Sequence, residues 1–112
     1  MAKPKSNPEV YTLVVDVGRK TDDGLPVGAT GAGLMCFASG HSEEEAVHET
    51  VAVLKQAGLA PLEVTAYGTI TERQELGHEI GPEEQRLIAQ ALSDNAVIVA
   101  ELTPFFGKTK DG

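Results

Sequence analysis

Between Ser42 and Pro61 the chain spells out a complete helix, with start signal, apolar stripe and stop signal inside one short stretch, and this unit limits what its flanks can be. Ser42 and Glu45 stand three apart, the spacing of a capping box. In that motif the serine oxygen accepts from the Glu45 amide and the Glu45 carboxylate accepts from the Ser42 amide. Glu43, Glu44 and Glu45 place negative charge on the first turn, where the helix dipole is positive. Ala46, Val47, Val51, Leu54 and Ala57 recur at helical spacing, which leaves His48, Glu49, Lys55 and Gln56 for the wet side. Gly58 suits a left-handed stop, Leu59 can fold back on Leu54, and Pro61 forbids continuation.

Strands flank this helix. Gly33 to Ser39 is a short apolar run, and beyond Pro61 the residues Leu62, Val64, Ala66, Gly68 and Ile70 alternate with Glu63, Thr65, Tyr67 and Thr69. Upstream, Val10 to Val17 alternates Tyr11, Leu13, Val15 and Val17 against Thr12 and Asp16, which predicts a first strand. Gly18 to Thr30 is too rich in turn formers for regular structure and predicts a long hairpin loop. Thr71 to Ile80 fits either a loop or a strand extension. Gly81-Pro82-Glu83-Glu84 opens a second helix with the stripe Leu87, Ile88, Ala91 and Leu92, and Asn95 is its terminator. Ala96 to Leu102 is β-branched and apolar on both faces, the pattern of a central strand.

The expected fold is therefore α+β, of two layers. Its order is ββαβαβ, with a mixed four-stranded sheet and both helices on one face through right-handed crossovers. Residues 1 to 8 read as a disordered tail, residues 9 to 103 as a single domain and residues 104 to 112 as a C-terminal tail. A chain of 112 residues suits one domain, burying roughly 65% of its unfolded surface. Two helices leave one sheet face bare, with Tyr11, Thr12, Thr65 and Tyr67 expected on it. Self-association through that face or a sheet edge is the expected remedy. Phe105 and Phe106 follow Pro104, and are expected to dock on a second subunit or on a groove of the same chain. Tyr11, Tyr67, Phe105 and Phe106 are thus the candidate interface residues.

Charge narrows the partners. The chain has 17 acidic and 9 basic residues, but Lys3, Lys5, Lys108 and Lys110 lie in the tails, so residues 8 to 102 carry 16 acids and 5 bases, a balance of −11. Such a body repels phosphate backbones, which argues against direct nucleic-acid binding and favours a basic protein partner. The single Cys36 permits no internal disulfide and reads as a buried thiol. No run is long and apolar enough to span a membrane and the start has no signal-peptide core, so a cytoplasmic location is expected.

Signals for chemistry are faint. Gly28 to Gly33 is glycine-rich, but it opens a strand instead of a helix and lacks a P-loop lysine, so no phosphate site is expected. Glu45 with His48 and Glu75 with His78 match the Glu-x-x-His spacing of carboxylate metal sites, yet Glu45 is committed to a cap, and no metal or cofactor is expected. His41, Glu44, His48 and His78 remain the candidate binding residues. No nucleophile accompanies them, so no catalytic residue is assigned. Arg73 among Glu72, Glu75 and Glu79 reads as wet surface.

The run Tyr11-Thr12-Leu13-Val14-Val15, then a loop, a strand, and Ser39-Gly40-His41-Ser42-Glu43-Glu44-Glu45-Ala46 entering an apolar helix resembles the small domain of HicB-like antitoxins over residues 10 to 58. That resemblance implies an oligomeric protein-binding module. The chain lacks the family's Pro-Asp-x-Pro-Gly-like turn and any evident DNA-binding region, so no functional residue carries over. The expected function is a non-enzymatic binding or regulatory module acting as a homo-oligomer, with an antitoxin-like binder of a basic protein as its specific form. A small enzyme or metal protein built on His41 to His48 is the alternative.

Overall fold

The turn-rich segment after the first strand closes an antiparallel hairpin. In the computed structural model, which describes residues 7–106, β1 (Glu9–Gly18) pairs with β2 (Gly31–Gly40), Val14 facing Met35 and Asp16 facing Gly33. The loop between them is held by its own side chains. Arg19 grips Asp23 with two nitrogens (Nε to Oδ2 3.0 Å, Nη2 to Oδ1 3.2 Å), while the amides of Lys20 and Leu25 donate to the same carboxylate at 2.8 and 3.0 Å. Leu25 is thereby turned into the core beside Val15, Val17 and Leu34. Gly31 allows a close strand approach, because a Cβ there would press into the carbonyl oxygen of Val17.

These donors, led by the Arg19 guanidinium and followed by the Leu25 and Lys20 amides, draw the Asp23 carboxyl from the ordinary 3.8 to about 2. A carboxyl depressed by folding stabilises the fold above its unfolded value and loses that contribution as pH falls through the folded one. The stability gap between the wild type and Asp23→Asn, read as urea midpoints, is expected to be constant at neutral pH and to close between pH 4 and 2. A gap unchanged at pH 2 would contradict the loop geometry.

The helix α1 (Glu43–Gln56) has the ends its sequence forecasts. Ser42 Oγ accepts from the Glu45 amide at 3.1 Å. The Glu45 carboxylate reaches one residue further back than a capping box requires and accepts from the His41 amide. At the other end Gly58 is left-handed (φ +88°), and Leu59 N donates to Leu54 O at 3.0 Å, the Schellman closure. The chain continues through β3 (Ala60–Gly68), α2 (Ile70–Glu75), α3 (Pro82–Asp94) and β4 (Val97–Phe105). Pro82 opens α3, and Asn95, left-handed at φ 49°, closes it.

The fold is α+β, but four expectations are corrected. The sheet is antiparallel at every pairing, in the order β3-β1-β2-β4, so it is not mixed. The apolar strand β4 is an edge, not central. A third helix, α2, occupies part of the undecided stretch 71–80; Thr69 and Glu72 form its capping box. The helices lie on opposite faces, giving three layers. On one face Leu54 and Ala46 of α1 meet Leu13, Val15, Leu34, Cys36 and Ala38. On the other, Ile88 and Ala91 of α3 meet Val10 and Phe37. The handedness rule governs only connections between parallel strands. Because β3 and β4 run in opposite senses, it does not fix the side on which α2 and α3 pass.

Tyr11 and Tyr67 also part company. Tyr11 packs on the α1 side with Leu13 and Val47, whereas Tyr67, next to the α1-side residue Ala66, faces α2. The residues read as a tail beyond 103 begin as strand, since Pro104 and Phe105 pair with Ala32 and Gly31. The expectations for 1–6 and 107–112 fall outside the described residues.

Candidate functional site

The four candidate binding residues do not meet. His41, Glu44 and His48 are exposed along the first turns of α1. His78 lies across the sheet, where its Nδ1 accepts from Arg73 Nε at 3.1 Å and its ring stands 5.8 Å from that of Tyr67. Since the Arg73 guanidinium always donates, the ring proton of His78 sits on Nε2 while this contact holds.

Arg73 is itself a correction to the reading of its stretch as wet surface. It is 6% exposed, donates from Nη1 to Thr12 Oγ1 at 3.2 Å and reaches Glu84 from Nη2 at 3.5 Å. The network ties α2 and α3 to β1 and has no nucleophile; its chemistry is that of a clamp. The signal for it was present at Thr69 and Glu72, which stand at the same spacing as Ser42 and Glu45. Among the described residues, no group of three or more His, Cys, Asp or Glu side chains could hold a metal ion. Cys36 is fully buried, and burial pushes its thiol up to about 11, far from a reactive thiolate.

Two hollows remain. One, of about 480 Å³, lies where α2 and α3 meet the start of β1, with Val10, Ile70, Ile88 and Leu92 as floor and Glu9 and Glu72 on its wall. On the α1 side of the same strand, burial raises the pKa of the Tyr11 phenol, and the charges of Glu9, Glu72 and Glu43 raise it further. The other, of about 310 Å³, occupies the end of the sheet that α2 and α3 leave uncovered. Strand register builds it in two rows. Asp16, Gly33 and Thr103 form one row, and Val14, Met35 and Glu101 the other, while Glu63 and Thr65 continue these rows on β3 beside the hollow. The Phe105 ring leans over Gly33, 3.1 Å from where a Cβ would stand, so the candidate Phe105 does dock partly on its own chain.

The β4 edge carries a further run of exposed apolar side chains. Val99, Leu102 and Phe105 are each 43% exposed and Phe106 is 55% exposed. Val99 and Leu102 are paired to Cys36 and Leu34, on the α1 side, while Phe105 belongs to the hollow on the reverse. The four candidate interface residues therefore do not form one patch. Tyr67 and Phe105 share a face but stand at opposite corners of it, and Tyr11 is on the other side.

Among the described residues no helix is long and apolar enough to cross a membrane. The family model described as Domain of unknown function (DUF8846) matches residues 10–106, and the chain belongs to that family. Neither the curated proteins nor the solved structures compared with it include a match, and nothing found links it to the HicB-like antitoxins.

Proposed function

We propose that this family member works as a non-enzymatic binding or regulatory module, assembled from copies of itself and acting through protein contacts. The observation that carries the reading is the β4 edge. It is a nine-residue strand bonded on one side only, with Val99, Leu102 and Phe105 half-exposed on its two faces. Edge strands of this kind are templates for a further strand unless charge, proline or a bulge blunts them. Pro104 has no amide hydrogen, and the ladder with β2 shifts register between Met35 and Cys36. Both devices limit open-ended growth: Pro104 ends the pairing stretch, and the extra residue at Ala100 interrupts its regularity. Antiparallel pairing of β4 with its own copy is isologous and closes as a dimer. The helix clusters reach Val97, Ile98 and Ala100 of β4, and neither Val99 nor Leu102 belongs to them.

The excess of acids over bases suits a basic protein partner, and an antitoxin-like inhibitor is the specific form of that reading. A cytoplasmic setting agrees with the unpaired thiol of Cys36. Amide exchange over a dilution series tests the assembly. Protection along residues 97–102 is expected to fall as the protein is diluted, while β1 and β2 keep theirs. Concentration-independent protection of β4 would overturn the dimer.

A further inference from the structure

We infer that the uncovered end of the sheet receives an extended peptide segment of a partner protein, one that bears lysine or arginine next to apolar side chains. This inference rests on the protein-binding reading above and assigns it a surface and a ligand chemistry.

Three features of that surface point the same way. The first is a broken rule of sheet pairing. Asp16 and Glu63 stand directly opposite each other on neighbouring strands, an arrangement of like charges that destabilises a sheet. Glu101 adds a third carboxylate in the next row, on β4 across β2 from Asp16. Among the described residues, the ion pairs are Arg19 with Asp23, Arg73 with Glu84 and Arg86 with Glu83, so none of these three acids is neutralised. Local conflicts of this kind concentrate where a sequence serves binding instead of folding. A cationic side chain laid between Asp16 and Glu63 would turn their repulsion into attraction.

The second feature is apolar. Val14 and Met35 floor the hollow, on the same pleat as Phe37, where Met35 marks the margin of the cluster that α3 covers. They give the stem of a lysine or arginine, or a neighbouring apolar side chain, something to lie on. The third is Gly33 with Phe105. The missing side chain makes room for the Phe105 ring beside the Asp16 carboxylate, and the half-exposed ring there is available to an ammonium or guanidinium group. An anionic or purely apolar ligand would leave the carboxylates unanswered. A cation without an apolar neighbour would leave the floor wet.

The test uses the full chain, labelled for NMR and titrated with an eight-residue peptide alternating lysine and valine. A peptide with glutamate in place of lysine serves as control. Shifts are expected at Val14, Asp16, Gly33, Met35 and Glu101 with the lysine peptide alone. The triple variant Asp16→Asn, Glu63→Gln, Glu101→Gln relieves the repulsion without touching the core, and should stay folded while binding about tenfold or more weakly. Shifts scattered over the acidic faces of α1 and α3, equal binding by the triple variant, or no binding at millimolar peptide would each overturn the inference. Particle mass measured on the same samples separates the two proposals. A dimer that ignores the peptide refutes only the peptide site, and a monomer that binds it refutes only the self-association. A triple variant that loses the dimer would show the face to be a contact between copies, which also overturns the peptide assignment.

Discussion

Replacing Phe37 with alanine is expected to cost about 3–5 kcal/mol of folding stability, the range for emptying a fully buried aromatic site. Phe37 has no exposed surface and is among the largest fully buried side chains. It sits under α3, packed with Val10, Ile88 and Ala91, and Met35, Ile70, Ile80, Leu87 and Ile98 close around it. The cavity would lie between sheet and helix, where a rigid strand on one side and a capped helix on the other restrict collapse. Against a total of about 5–15 kcal/mol for a domain of this size, the variant stands near the edge of folding. Urea unfolding checks this by the shift in midpoint. A loss under about 1 kcal/mol would mean that α3 does not cover that half of the face.

The second large effect is expected at Arg73. Its guanidinium serves Thr12 on the sheet, His78 in the loop after α2 and Glu84 on α3 at once. Arg73→Ala strands those groups at a packed interface, a loss of about 1–3 kcal/mol. The figure stays in this range, below that for breaking a fully buried ion pair, because Glu84 keeps access to water: its side chain is 27% exposed. Arg73→Lys is expected to recover little, since one ammonium cannot span three directions met by three separate nitrogens. The measurement is amide exchange over residues 70–78 together with the thermal midpoint. Unchanged exchange in Arg73→Ala would show that α2 is held by something else.

Signals written in neighbouring residues were the readable ones. Ser42, Glu45, Gly58 and Leu59 placed both ends of α1, Pro82 and Asn95 placed those of α3, and the turn formers between Gly18 and Thr30 marked the hairpin. Each acts through one turn of backbone, so the sequence alone suffices. The arrangement of the elements was less legible. Periodicity reports how apolar a strand is but not how many neighbours it has. β4 is apolar on both sides because Ile98 and Ala100 pack toward α3, while Val99 and Leu102 on the other side stay half-bare. Pro104 was the mark of an edge, since proline inside a sheet is confined to edges and bulges.

The placement of both helices on one face failed because it treated β3 to β4 as a parallel crossover. Helix α2 escaped because six residues are too few for a stripe, although its cap was written out. The candidate surface itself was hidden in plain alternation. Asp16 reads in the sequence only as a position alternating with Leu13, Val15 and Val17; the sheet brings Glu63 directly opposite it and Glu101 onto the same face across β2.

Cover of the apolar β4 edge by a second copy in solution is the step on which the binding function rests. Light scattering on the full chain at micromolar concentration addresses this most directly. A particle of twice the 11.8 kDa chain mass, reduced to a single chain by Leu102→Lys, is the predicted result. A wild-type protein that remains one chain in mass across that range would contradict it.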